Sequence, residues 1–260
     1  MLRILKSLSQ ILRDLLESFK VMDIKDKTII VVGATGGIGQ VLCQVFHNLG
    51  ANVVLAARTE EKLEKLEEKL GGNRVMSVKT DASSLEDVTF LFEKSRSRFG
   101  KIHAVVTAAG TWKRLSIENS PEEALGSIQL MVDSVFLPSY LVGFVAQEFF
   151  RKQGFGLIAN ISSHAAIRPW LKGNLSYGAM KAASTHFMLG IASALDGTSV
   201  RVLDIQPAIV NTLEAAELLA TEENKRKAVQ PEAIARLIAE NIGKTKVPTQ
   251  VVLDSDVKLD

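Results

Sequence analysis

The chain has 260 residues, 47% of them hydrophobic and 23% charged, an ordinary globular balance with length enough for one sizeable α/β domain. A net charge of +2 provides no strongly basic face, so no nucleic-acid partner is expected. Cys43 is the single cysteine, which excludes an internal disulfide and fits a reducing compartment; the expected location is cytoplasmic, with no metal site.

Residues 2–20 carry Leu5, Leu8, Leu12, Leu15 and Phe19 at three- and four-residue spacing, the pattern of an amphipathic helix. The opposite face mixes Arg3, Lys6, Arg13 and Lys20 with Asp14 and Glu17. Packing on the chain's own domain or on a second subunit is the favoured reading; a helix lying on a membrane surface is the alternative. The charges break any signal-peptide core, and no small-residue cleavage site follows. The most apolar run, Val135 to Phe150, is interrupted by Pro138, Ser139, Gln147 and Glu148 and is too short to span a bilayer. Residues 1–24 thus read as an extension and 25–260 as a single domain.

From Lys27 the pattern alternates. Strands are predicted at Thr28–Val32, Asn52–Ala56, Arg74–Lys79, Ile102–Thr107, Gly156–Ile161, Val200–Ile205 and Gln250–Leu253. Helices are predicted at Gly37–Leu49, Glu60–Leu70, Leu85–Phe99, Pro121–Arg151, Leu175–Leu195 and Pro231–Asn241. Alternation of this kind predicts a Rossmann-type, doubly wound parallel sheet of about seven strands with helices on both faces. Ligands of such sheets bind beyond the carboxyl ends of the strands.

Beyond the first strand comes Gly33-Ala34-Thr35-Gly36-Gly37-Ile38-Gly39, opening a helix. Gly33 permits a sharp turn off the strand. Gly37 and Gly39 let a ligand approach the backbone and the helix pack on the sheet. The helix N-terminus then presents N–H groups and a positive dipole end to a pyrophosphate. After the second strand stands Arg58 where an NAD site has an acid; a guanidinium suits a 2′-phosphate, so the expected cofactor is NADP(H). A solvated surface arginine is the plainer reading. Asp81-Ala82 follows the third strand, with Ser83 and Ser84 placed to cap the next helix. Small residues, Ala108-Ala109-Gly110, follow the fourth.

The fifth strand ends in Ser162-Ser163-His164, and Tyr177 and Lys181 stand four apart on the following helix, facing one ligand. A tyrosine ionises near pH 10 unperturbed, and a nearby ammonium favours the phenolate. Tyr177 suits a general acid in carbonyl reduction and a general base in alcohol oxidation, with Lys181 beside it and Ser163 hydrogen-bonding the carbonyl oxygen. Ser162 competes for the serine's role, and His164 reads as a lining residue or loop cap. Pro207, Ile209 and Thr212 follow the sixth strand. Residues 213–230 read as an apolar flap over the substrate, with Trp112 and Trp170 in loops facing the same region.

Over residues 25–255 these motifs resemble the classical short-chain dehydrogenase/reductase family. The widened spacing of Gly33, Gly37 and Gly39 and the Tyr177-x-x-x-Lys181 pair carry the resemblance. It implies catalysis by Ser163, Tyr177 and Lys181. It implies cofactor contacts at Gly33, Thr35, Gly36, Gly37, Ile38, Gly39, Arg58, Asp81, Ala82, Ala109 and Gly110, then at Tyr177, Lys181, Pro207, Ile209 and Thr212. Asp81 would hold the adenine amino group, Lys181 the nicotinamide ribose, and Ile209 and Thr212 the carboxamide. The implied substrate is a small carbonyl or alcohol, and the implied assembly a homodimer or homotetramer through the two long helices. Three departures stand out: Thr107-Ala108 lacks the family's two asparagines, Ala208 replaces a glycine, and Met131 occupies the position of the proton-relay asparagine. Met131 has no amide to hold a water. A cofactor-binding protein with weak or no catalysis, acting through partners, is therefore the alternative to an NADP(H)-dependent oxidoreductase.

Overall fold

A computed structural model describes residues 24–168, 173–216 and 218–254. The expected helix over residues 2–20, Trp170 and residues 255–260 lie outside the described residues.

Seven strands, β1 (Thr28–Val32), β2 (Asn52–Ala57), β3 (Val75–Lys79), β4 (Ala104–Thr107), β5 (Gly156–Ile161), β6 (Val200–Pro207) and β7 (Gln250–Leu253), form one sheet in the order 3-2-1-4-5-6-7. Every pair is parallel, which is why β1, β4 and β5 are buried throughout their length: helices cover both faces. Alternate residues of β1 feed two cores. Ile29 and Val31 pack with Leu42 and Phe46 of α1 (Gly37–Asn48), Leu63 of α2 (Glu60–Leu70) and, farther along, Ile234 and Ile238. Ile30 and Val32 face Val88, Leu91 and Phe92 of α3 (Leu85–Phe99) and the long helices beyond. The chain reverses its direction of travel across the sheet at β1, where Val32 pairs with Ala56 on one side and Thr107 on the other. The ends of β1, β4 and β5 open there together, as the strand order of such sheets dictates.

The predicted helix Pro121–Arg151 is three pieces: α4 (Pro121–Met131), a π turn (Val132–Phe136) and α5 (Leu137–Gln153). Ser120 caps α4 through a reciprocal capping box with Glu123. At the π turn the Leu137 N–H reaches back five residues to the Val132 carbonyl. Pro138, next in line, has no N–H to continue an α ladder, and the wider turn absorbs the break. By length and composition Pro121–Gln153 could cross a membrane, but Val142, Ala146 and Phe150 are buried against the sheet and neighbouring helices, as in a core helix. α6 (Leu175–Ala194), the short α7 (Glu222–Arg226) and α8 (Pro231–Asn241) complete the chain. Elsewhere the strand bounds differ modestly from expectation. β3 begins at Val75 and β4 at Ala104, while β6 continues through Gln206 and Pro207, its edge held by the Ala208 N–H on the Leu253 carbonyl.

Candidate active site

The turn after β1 is a close contact. Gly33 has φ +85°, and a Cβ there would lie 2.7 Å from the Ala109 nitrogen, so the chain after β4 runs directly against it. A Cβ on Gly39 would overlap the Gly33 carbonyl oxygen. No side chain caps α1, whose N-terminal backbone follows directly on Gly36. A Cβ on Gly37 would collide with Thr212 and with Glu214 of the flap, which places the loop after β6 over the glycine turn.

A cleft of about 890 Å³ runs from this turn across the ends of β4, β5 and β6. Of the sequence-predicted residues it brings together Gly36, Gly37, Ile38, Ala109, Gly110, Ser163, Tyr177, Lys181, Pro207, Ile209 and Thr212. Arg58 and Asp81 line a separate depression of about 920 Å³ on the β2–β3 side, together with Lys79 and the start of α3. The exposed Arg58 helps hold the Asp81 carboxyl below the usual range, behind the larger effect of Ser83. Ser83 donates to Asp81 Oδ1 from both its hydroxyl (2.7 Å) and its N–H (3.0 Å), while Ser84 caps α3. Asp81 therefore orders the turn ahead of α3, as a helix N-terminal acid does, and Ser84 supplies the cap that the serines were placed to give. Ala82 is buried in the core behind this turn.

The two serines divide cleanly. Ser162 is buried, 2.7 Å from the Thr185 hydroxyl and 3.3 Å from the Lys181 carbonyl. The Ser163 oxygen accepts from the Ala165 N–H at 3.1 Å and interacts with the Tyr177 phenol. Burial pushes the phenol above its ordinary value, and Ser163 acts against that. Lys181 is 5% exposed; its Nζ donates to the Ile161 carbonyl at 2.7 Å and lies 5.8 Å from the centre of the Tyr177 ring. Burial lowers Lys181 to about 8, opposed by the negative charge of Asp204. His164 does line the cleft, with Nε2 3.4 Å from Asp254 Oδ1; burial lowers its pKa and Asp254 opposes this.

Met131 is fully buried, in the turn of helix just before the π turn. The flap is only partly the apolar lid expected: Leu218 lines the cleft, Leu219 is buried, and Leu213 points outward, 93% exposed. A bridge between Val210 and Val229 closes the base of the flap, and the Ile209 carbonyl accepts the Val229 N–H at 2.8 Å. Trp112 faces the cleft and donates from Nε1 to Asn174 Oδ1 at 2.5 Å. Sequence reasoning missed Asn174, Asp254 and a fully buried polar cluster around Asp204 beneath the site. An acid in the middle of a strand otherwise built to be buried was the available signal for the last.

A family profile described as short chain dehydrogenase matches residues 27–223. An uncharacterised oxidoreductase of Listeria monocytogenes is 35% identical over 237 residues, covering 84% of this chain and 91% of that one. Among solved structures, a short-chain type dehydrogenase/reductase from Mycobacterium ulcerans superimposes with a TM-score of 0.79 at 24% identity, covering 88% of each chain. A 3-ketoacyl-(acyl-carrier-protein) reductase from Brucella melitensis complexed with NADH gives 0.77 at 22% identity, over 90% of this chain and 99% of that one. The chain belongs to the short-chain dehydrogenase/reductase family.

The buried lysine makes stability depend on pH in a stated direction. Below about pH 8 Lys181 is protonated both folded and unfolded, so the stability difference between the wild type and Lys181→Met should be flat. Between about 8 and the ordinary 10.5, the unfolded chain holds a proton that the folded chain lacks. The wild type should then gain on the variant as pH rises, by up to roughly 3 kcal/mol. Urea melts of both chains across this range read the difference; one that stays flat would contradict it.

Proposed function

We propose that this short-chain dehydrogenase/reductase is an NADP(H)-dependent oxidoreductase interconverting a carbonyl and a secondary alcohol, with Tyr177 as general acid and base. The observation that carries the reading is the meeting of the half-buried Tyr177 and the buried Lys181, with Ser163 against the phenol, in the cleft that begins at the glycine turn. The residues fit a dinucleotide. Gly33 and Gly39 allow the backbone packing a pyrophosphate site needs, and α1 presents its N-terminus without a side-chain cap. In this reading Arg58 would grip a 2′-phosphate and Asp81 would hold an adenine in the depression that both line, while Ile209 and Thr212, which line the cleft, would meet the nicotinamide carboxamide.

A bound nicotinamide supplies or accepts the hydride. The chain's own residues handle the proton. A substrate oxygen between Ser163 and Tyr177 receives a hydrogen bond from the serine as negative charge develops, and the phenol gives its proton to that oxygen. The Lys181 ammonium stabilises the phenolate left behind. In oxidation the same phenolate takes the alcohol's proton. Met131 favours a second reading, a cofactor-binding protein with weak or no catalysis, because a buried thioether cannot order a relay water. Good NADPH binding without turnover across a broad carbonyl and alcohol panel would favour that reading.

The same proposal extends to assembly. Tyr140 and Phe144 of α5 are 37% and 52% exposed, and Tyr140 meets Phe187 of α6 with ring centres 4.5 Å apart and the planes tilted by 32°. A second copy of this face would cover these rings in a homodimer or homotetramer. Sedimentation at micromolar concentration should show a species larger than a monomer; a strict monomer would count against it.

Fluorescence titration with NADPH and NADH is the first test of the reading. NADPH should bind about 10- to 100-fold tighter, and Arg58→Ala should remove most of that preference. Equal affinities would defeat the NADP assignment alone. Tyr177→Phe should cut turnover by about 10²- to 10⁴-fold while leaving NADPH affinity near that of the wild type. Unchanged turnover would defeat the catalytic assignment.

A further inference from the structure

An ammonium buried as deeply as that of Lys181 needs negative charge close by. The Ile161 carbonyl accepts one hydrogen bond from Nζ, and the Tyr177 ring lies beside it. A carboxylate stands in the same core: Asp204, in the middle of β6, with no exposed surface.

Asp204 sits at the centre of a hydrogen-bonded cluster. Its Oδ1 accepts from Asn160 Nδ2 at 2.6 Å. Its Oδ2 accepts from the Thr185 hydroxyl at 2.8 Å and from Gln206 Nε2 at 3.1 Å. Two of these three partners are amide nitrogens that can only donate, so the arrangement suits an ionised carboxylate. Thr185 is one helical turn beyond Lys181 on α6 and shares its face. Asn160 is the residue before Ile161, whose carbonyl holds the ammonium. Asn160 in turn accepts from Ser139 of α5 at 2.9 Å. Asp204 thus ties together α5, β5 and α6, the helix bearing Lys181 and the strand bearing its carbonyl partner among them.

We propose that Asp204 is the buried counter-charge of Lys181, and through it a positioning residue that keeps the ammonium in place beneath Tyr177. The electrostatics agree in both directions: Asp204 supports the charged form of Lys181, and Lys181, with the three donors, supports the charged form of Asp204 against burial. Among the described residues, charged groups on the turns packed against α6 have partners of their own. His164, on the turn packed against α6, faces Asp254 and Arg168 stands by the same acid. Asp133 of the π turn is exposed and accepts from Gln129. The consequence for the Tyr177 step rests on the function proposed above; the charge pairing itself does not.

A double-mutant cycle on stability tests the pairing without any turnover. The chains are the wild type, Asp204→Asn, Lys181→Met and the double variant, melted at neutral pH and near pH 10. At neutral pH Asp204→Asn should lower the melting temperature by about 5–10 °C when Lys181 is present, and by less than half of that in the Lys181→Met background. The gap should close near pH 10, where folded Lys181 is neutral and has no charge to pair. A merely structural cluster predicts the same loss in both backgrounds at both pH values, and that result overturns the proposal. Should Asp204→Asn alone fail to fold, folding of the double variant supports the pairing, and failure of both overturns it. Loss of the pairing would leave the Tyr177→Phe result untouched, so the two readings fail separately.

Discussion

A lysine ammonium removed from water has to be met by acceptors and by charge, and the architecture around this cleft follows from that demand. Lys181 reaches the end of β5 for a carbonyl, which fixes how α6 lies across the sheet. That placement sets Tyr177 one turn earlier on the same face, and the serine at the end of β5 within reach of the phenol. The parallel sheet makes the meeting feasible. It delivers the carboxyl ends of β4, β5 and β6 to one edge, beside the glycine turn of β1. Strand order and buried charge therefore impose one geometry on residues far apart in sequence.

Much of this fold was legible because its rules are local. β1 reads as a buried strand from five consecutive β-branched residues, and it is buried on both faces. The glycines after it are readable because the contact they permit, Gly33 against the Ala109 backbone, admits no side chain. The break inside the long central helix was not legible. Pro138 marks it, but whether the chain answers a proline with a kink, a new cap or a π turn depends on what packs alongside. Here the Ser134 carbonyl and the Val135 side chain lie against Gly110. The run of β6 through Pro207 is likewise set by its partner, since β7 supplies acceptors that the sequence of β6 cannot announce.

The site divides along the same line. Tyr177 and Lys181 could be paired from spacing alone, because a helix turns i and i+4 to one face. Ser162 and Ser163 could not be separated that way: adjacent residues leaving a strand point in different directions, and only the placement of Thr185 shows which hydroxyl is committed to the interior. Asp81 illustrates how spacing leaves a residue's use open. Its hold on Ser83 orders the turn after β3, so the carboxylate proposed to meet an adenine is already engaged in local hydrogen bonds. Asp204 was visible as an oddity, an acid among apolar residues, but two of its three partners, Asn160 and Thr185, come from other elements and no spacing rule connects them.

The cleft's two halves differ in how firmly they are built, and that difference bears on substrate choice. The floor is made of strand ends and buried side chains, with a polar layer beneath it: Lys181 and Ser162 of the floor and Asn160 and Asp204 below are each at most 5% exposed and bonded to one another or to the backbone. The outer wall is made of loop contacts, Trp112 on Asn174, Arg168 beside Asp254, and a flap whose leucines point both ways. Changing a floor residue strands buried polar partners, whereas changing a wall residue exchanges contacts that water can replace. On the proposed function, a chain built in this way would keep the proton transfer at Tyr177 while the wall is altered to admit a different carbonyl. The buried side of the site would then carry the reaction type, and the exposed side the identity of what reacts.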